Sequence, residues 1–362
     1  MEKRILIFFG GNNPKLKELK LPSWIPTNKK PFTQSINRIN NTLGDSINPF
    51  KSIISSETIE DIINLSSVSS SFEEHAFNMA IHINNKTKNN NLYLMYSGGI
   101  DSTSALVSII NTWPKQDLER LHILMSYRSI EEFPNMWKII NKNFKGRIIN
   151  SLKDTNEFIN DGYIITGELG DQLFGSDVII PIVDFYGEEG INLPWKNNIN
   201  KFYKHFFGKN FAPNVDLFVE KYSSTLSYCP FKIETCFQFV WWFNFTNKWQ
   251  LVKHRVLEQK RFINPKESHK KIIHFFDSPQ FQKWSMENPE LKIKDTLLSY
   301  KYSAKEFIVK HTGFEEYLYK PKIGSLQHVT SNFDRNYAFD QDFNEMTHEE
   351  VIGCVNDYGR PD

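Results

Sequence analysis

Cysteine is scarce in this chain: Cys229, Cys236 and Cys354 are the three thiols among 362 residues. They make no even-numbered disulfide framework and lack the Cys-x-x-Cys spacing of a zinc site, so they read as buried thiols of a reducing compartment. A charge excess is lacking too. Lys and Arg number 43 against 42 Asp and Glu, a formal net charge of +1, which removes the electrostatic reason to expect nucleic acid or a membrane surface as main partner. No segment approaches the roughly 20 apolar residues that cross a bilayer. The apolar start at Met1 reaches a polar run just past Gly11, too soon for a secretory leader. A cytoplasmic protein is the expectation. The Gly-Lys-Ser/Thr ending of a Walker phosphate loop is also missing. Aromatic side chains are what the chain has in excess, with 30 Phe and 8 Trp.

At this length the chain can bury a full core and form two domains or subdomains. Its most informative stretch is Asn91–Ser104, NLYLMYSGGIDSTS. The β-prone run Leu92–Tyr96 breaks at Ser97-Gly98-Gly99, and a helix-compatible stretch, Ala105–Ile110, follows. Two glycines free the loop to turn its N–H groups toward one point, and the new helix aims its positive dipole end there. Ser97, Ser102 and Thr103 add hydroxyl donors. Asp101 would repel a phosphate unless a hard cation sits between them. A magnesium phosphate or pyrophosphate is the expected guest; a plain Ser/Gly turn with a solvated Asp101 is the alternative.

Earlier in the chain, Arg4–Phe9 reads as a strand ending in a turn at Gly10-Gly11. Pro14–Ser71 is polar and expected to wrap the core. Phe72–Lys88 has helical apolar spacing, and its His75 and His82 read as a metal pair or as two partly solvated histidines. Downstream, Leu121–Ser126 is a strand whose exit, Ser126–Ser129, would flank an adenine or ribose; Met136–Phe144 is a helix, and Gly146–Asn150 and Tyr163–Thr166 are strands. This alternation predicts an α/β fold with a doubly wound parallel sheet. The last strand leads into Thr166-Gly167-Glu168-Leu169-Gly170-Asp171-Gln172-Leu173-Phe174-Gly175, where two carboxylates face the same crevice. Asp171 would share magnesium with Asp101, leaving Glu168 for substrate or proton transfer; Asp171 as a helix cap is the alternative. Trp241–Phe245 reads as a core helix. Residues 331–362 carry eight acids against Arg335 and Arg360 and read as an acidic tail, flexible or else covering the site.

Ser97-Gly98-Gly99-Ile100-Asp101-Ser102 resembles the PP-loop, Ser-Gly-Gly-x-Asp-Ser, of the ATP pyrophosphatases. The second constellation narrows this to the synthase domain of asparagine synthetases, whose stretch is Ser-Gly-Glu-Gly-x-Asp-Glu-Leu-Phe-Gly-Gly. Gly167, Glu168, Asp171, Leu173, Phe174 and Gly175 match it, while Leu169 replaces a glycine and Gln172 an acid. A third motif, Lys320-Pro321-Lys322-Ile323-Gly324, is similar to the family's late Arg/Lys-x-Lys-x-Gly loop, so the resemblance implies that Lys322 meets the pyrophosphate. The cysteines of the relatives that thiolate tRNA or make deazapurines have no counterpart here.

The resemblance covers about Phe72–Gln327. It implies an adenine nucleotide α hydrolase-like fold with a helical, aromatic-rich C-terminal subdomain. Residues 1–71 would be accessory, 72–180 the ATP-binding core, 181–330 the helical substrate region and 331–362 the tail. With Glu2 where the family's glutaminase half has its nucleophilic cysteine, that half is expected to be absent. ATP and Mg2+ are the implied cofactors. Ser97, Gly98, Gly99, Asp101, Ser102 and Thr103 would hold the nucleotide, Asp101 and Asp171 the metal, and Glu168 and Lys322 would be catalytic. The substrates would be a small carboxylate and ammonia or an amine, with a separate amine-donor protein or a peptide substrate as a further partner. Ammonia-dependent amide synthesis, ring closure of the kind made by β-lactam synthetases and lasso-peptide cyclases, and a nucleotide-binding protein without turnover all remain open.

Overall fold

The computed structural model describes residues 4–8, 37–39, 50–150, 156–258, 264–319 and 338–354. Five short apolar segments form one parallel sheet: β2 (Asn91–Met95), β3 (Leu121–Met125), β4 (Ile148–Asn150), β5 (Gly162–Thr166) and β6 (Ile272–His274). Their order is β4-β3-β2-β5-β6. Leu94 lies opposite Ile123 on one side and Ile165 on the other. Side chains alternate across the sheet as strand geometry requires. Leu92 and Leu94 enter the main core, whereas Tyr93 joins a second cluster with Phe158, Ile164 and Val256. Both faces of the sheet are therefore covered.

The strand order reverses beside β2. The chain steps outward through β3 to β4, then returns across β2 to place β5 on its other side. Loops that leave β2 and β5 are thus neighbours at the carboxyl end of the sheet, the place where open α/β sheets have their crevice.

Helix Phe72–Lys86 begins at Ser71, whose hydroxyl accepts from the Glu74 N–H at 3.3 Å. Phe72 packs against Phe174, Phe281, Trp284 and Phe307 at centroid distances of 5.5–5.8 Å. The aromatic run folds as expected into helix Cys236–Asn247, buried at every position but Gln238. A helix that is apolar all round belongs inside. Of the two histidines read as a metal pair or as partly solvated, His75 is buried with its ring bonded to the Ser69 carbonyl at 2.8 Å, while His82 is exposed. Among the described residues no group of three or more metal-ligating side chains gathers, and no helix is long and apolar enough to cross a membrane. All three cysteines are free thiols.

The described parts of two stretches read as peripheral prove to be packed. The acidic C-terminal stretch was expected to be flexible, yet β7 (Ala338–Asp340) pairs antiparallel with β1 (Ile5–Phe8). Ala338, Met346, Val351 and Cys354 close a small core over Ile5 and Phe50. Asp340 is engaged in a turn, accepting from the N–H groups of Asp342 and Asn344 at 2.9 Å each. At the other end, Ile39, Ile59 and Ile62 belong to the main core. Arg38 is fully buried; it donates to the carbonyls of Phe245 (2.8 Å) and Glu57 (3.2 Å) and to Gln282, and lies 4.5 Å over Trp249. Burial lowers its pKa to about 9, still above neutrality.

Arg38→Met would leave those acceptors buried and unpaired, at ~1–3 kcal/mol each. A loss of ~3 kcal/mol or more in urea unfolding, with unchanged m-value, is the expected outcome; a loss below about 0.5 kcal/mol would make Arg38 peripheral.

Candidate active-site crevice

The loop leaving β2 runs through Ser97 and Gly98 into helix Ile100–Thr112, for which Gly99 is the N-cap. Gly98 has φ +83°, and a Cβ there would stand 2.5 Å from the Ser129 carbonyl. Only glycine meets both demands. The residues after β3 therefore press on the loop from behind, and Ser129 is fully buried.

Inside the loop the polar atoms brace one another. The Ser97 N–H donates to the Ser102 hydroxyl at 3.2 Å, the Ser102 hydroxyl donates to the Gly99 carbonyl at 3.1 Å, and the Gly99 N–H donates to the Ser97 hydroxyl at 3.2 Å. Ser97 and Ser102 hydroxyls are 3.0 Å apart. Thr103 sits differently from its neighbours. Its hydroxyl is fully buried and meets Tyr317 Oη at 2.8 Å and Tyr96 Oη at 3.3 Å, so it supports the loop from beneath.

The second loop leaves β5 and lies directly against the first. A Cβ on Gly167 would come within 2.8 Å of the Ser102 nitrogen, and one on Gly170 within 2.4 Å of the Asp101 carboxylate. Gly170 opens the short helix Gly170–Phe174, which carries Asp171. The aromatic helix holds that segment in place: Asn244 Nδ2 donates to the Asp171 carbonyl at 3.0 Å and the Gly175 carbonyl at 2.6 Å, and Trp241 Nε1 to the Leu173 carbonyl at 3.2 Å.

Asp101 and Asp171 come together as the sequence suggested, with a residue the sequence did not suggest between them. Lys301 Nζ lies 2.5 Å from Asp101 Oδ2, 2.7 Å from Asp101 Oδ1 and 2.7 Å from Asp171 Oδ1. Its side chain is only 6% exposed. Burial alone would lower the pKa of this ammonium, but Asp101 and then Asp171 outweigh burial and hold it above the ordinary lysine range. The donor set is that of a cation site: two carboxylates converge on one point, and a positive charge occupies it. Tyr300 Oη adds a long bond to Asp171 Oδ1 at 3.4 Å.

Glu168, expected to be free for substrate or proton transfer, is instead paired. Arg255, half exposed, holds its Oε2 at 2.5 Å. The Thr166 hydroxyl accepts from the Glu168 N–H at 3.2 Å and also meets His274 Nδ1 at 2.7 Å. On His274, the residue Thr166 meets, opens a cavity of about 350 Å3, lined also by Lys253, His254, His269, Asp277 and Phe343. Burial, then the neighbouring Lys253 charge, pushes His254 down to about 3, so its imidazole is neutral near pH 7. Lys320, Lys322 and Gly324 lie outside the described residues.

The two departures from the motif have structural explanations. Gln172 is buried, with Nε2 3.3 Å from Asn244 Oδ1, so an acid there would face the aromatic core rather than the crevice. Leu169 keeps a glycine-like backbone, φ +75°, while its side chain is 1% exposed. Lys301 too is left-handed, with φ +62°. Both strained residues stand at the crevice, where such strain tends to collect. Sequence reasoning missed Lys301, Arg255 and Asn244. The signal available for Lys301 was its setting among Leu297, Leu298, Tyr300 and Tyr302, where a lysine is more readily drawn into apolar packing.

No protein-family model, curated protein or solved structure matches the chain.

At Leu169 the usual order of helix- and core-truncating substitutions should invert. Leu169→Ala loses packing, ~2–5 kcal/mol, and keeps the left-handed strain. Leu169→Gly loses similar packing and relieves ~1–2 kcal/mol of strain, so it should be the more stable of the two in urea unfolding. Ala more stable than Gly would contradict the backbone assignment.

Proposed function

We propose that the chain is an AMP-forming carbon–nitrogen ligase, resembling the synthase domain of asparagine synthetases and built on an adenine nucleotide α hydrolase-like sheet. The supporting observation is the meeting of Asp101 and Asp171 around one cation, at the sheet's switch point and beside a Ser-Gly-Gly helix start. A pure anion site has no use for two converging carboxylates, whereas a magnesium polyphosphate site does. Asp101 and Asp171 would hold Mg2+, which when bound neutralises phosphate oxygens.

In this reading Ser97, Gly98, Gly99 and Ser102 exchange their internal hydrogen bonds for bonds to phosphate. The helix Ile100–Thr112 adds its dipole. A substrate carboxylate oxygen attacks the α-phosphorus of ATP, and the α–β bridging oxygen leaves with pyrophosphate. An amine then attacks the acyl carbon, AMP departs, and the amine's proton passes to a base. Lysine charge, from Lys301 and from Lys322 on its later segment, gains most as pyrophosphate separates. Glu168, oriented by Arg255, faces the acyl or amine group.

The cavity at His274 favours a specialised substrate over aspartate alone. Its volume falls within the range of small-molecule sites, and Phe343 stacks on His269 at 3.8 Å beside the half-buried Lys253–Asp277 pair. A carboxylate with an apolar or planar body, or an acceptor amine carrying one, fits that lining. Amide or macrolactam formation on a larger substrate is therefore the second reading.

Pyrophosphate release from Mg-ATP, measured with aspartate plus ammonium and then with a panel of carboxylates and amines, tests the proposal. Release should depend on one acid and fall ~100-fold or more in Asp101→Asn and Asp171→Asn. Lys322→Ala should lose adenylation while retaining most ATP affinity. ATP binding without release under any acid, unaffected by Lys322→Ala, would leave a nucleotide-binding protein instead.

A further inference from the structure

The lysine between the two carboxylates serves no purpose in a site that simply collects magnesium from solution. A divalent ion approaching Asp101 and Asp171 meets an ammonium already seated on both, at 2.5 and 2.7 Å. That ammonium has little to gain by leaving for water, since its side chain is buried and its charge is raised in stability by the same two acids.

We propose that Lys301 is a built-in counter-ion that closes the carboxylate pair to free divalent cations, so that metal enters the crevice only together with a polyphosphate. The inference rests on the reading of Asp101 and Asp171 as metal carboxylates. Its physical content is charge exchange. In the resting crevice the ammonium satisfies two carboxylates. A metal arriving alone pushes the ammonium off both acids and brings no anion to receive it. A metal arriving with a polyphosphate supplies that anion within reach, and the ammonium passes from carboxylate oxygen to phosphate oxygen.

The backbone is arranged for such a move in the side chain alone. The Lys301 N–H is anchored to the Lys292 carbonyl at 2.8 Å, and the Lys305 N–H returns to the Lys301 carbonyl at 3.0 Å as helix Tyr302–Thr312 begins. The left-handed turn at φ +62° directs the chain into that helix. Four side-chain torsions then remain to swing the ammonium while its attachment stays fixed. Tyr300, bonded to Asp171 and packed against Gly175, keeps the second carboxylate in place during the exchange.

Manganese binding followed by electron paramagnetic resonance reads the outcome without any turnover. Four samples suffice: the wild-type protein alone, the same with α,β-methylene-ATP, and K301M and the double variant K301M/D171N without nucleotide, each checked for an intact melting transition. Wild-type protein should take up Mn2+ weakly alone and at least about tenfold more tightly with the analogue, the scale on which a neighbouring charge alters an ionic equilibrium. K301M should bind Mn2+ at least about tenfold more tightly than wild type without nucleotide, and K301M/D171N should lose that gain. K301Q, which keeps donors for both carboxylates without the charge, replaces K301M if the latter fails to fold. Tight binding of Mn2+ by the wild-type protein alone overturns the proposal, as does a folded Lys301 variant with no gain. Failure of the analogue to bind would instead count against the proposed ligase reading, leaving the Lys301 variants to decide the lysine's role.

Discussion

Three segments far apart in the chain, at Asp101, Asp171 and Lys301, are tied by ion pairs from two partly exposed carboxylates to one buried ammonium, and the crevice depends on them. Each carboxylate alone would be held close to the other by the packing of Gly170 on Asp101. Like charges so placed repel. The ammonium turns that repulsion into attraction, but the balance is fine, because taking the ammonium out of water and the acids partly out costs much of what their mutual attraction returns. Removing the ammonium, the buried member, costs at most the ~3–5 kcal/mol typical of a fully buried pair, because the two acids are partly solvated. The same balance makes the set exchangeable. A partner that offers the lysine another anion, or the acids another cation, shifts it at little net cost.

What holds the triad in register is the aromatic half of the protein. Helix Cys236–Asn247 is buried and bonds through Asn244 and Trp241 to the segment carrying Asp171. Phe72 ties helix Phe72–Lys86 to Phe174 on that same segment. Rings of this size bury large apolar areas and lose few torsions on packing, so they make a stiff backing. A stiff backing is what permits left-handed backbone at Leu169 and Lys301, since local strain persists only where the surroundings enforce it. The excess of Phe and Trp thus acts on the crevice indirectly, by immobilising it.

Much of the sheet was legible in the sequence because its signals are local. Leu92–Tyr96 followed by two glycines and a helical run needs no distant information, and the strands at Leu121 and Tyr163 are bounded in the same way. The approach of Asp171 to Asp101 was legible as well, since both stand just past strand ends. Lys301 was not. Its partner Asp101 is 200 residues away, and no periodicity marks it. Glu168 was read as free because the Arg255 that holds it is 87 residues distant, at the end of a helix. The acidic C-terminal stretch misled for a different reason. Composition weighed its carboxylates, whereas the structure uses the few apolar residues between them, Ala338, Met346 and Val351, to close a small separate core. Gln172 looked like a lost active-site charge, and only its contact with Asn244 explains the neutral amide.

The most direct measurement is a crystal of the protein grown with α,β-methylene-ATP and Mn2+, with diffraction recorded at an energy where manganese scatters anomalously. The expected result is an anomalous peak between Asp101 and Asp171, phosphate density over Ser97–Ser102, and Lys301 turned toward a phosphate oxygen. Nucleotide bound elsewhere, or manganese with no contact to either aspartate, would contradict it.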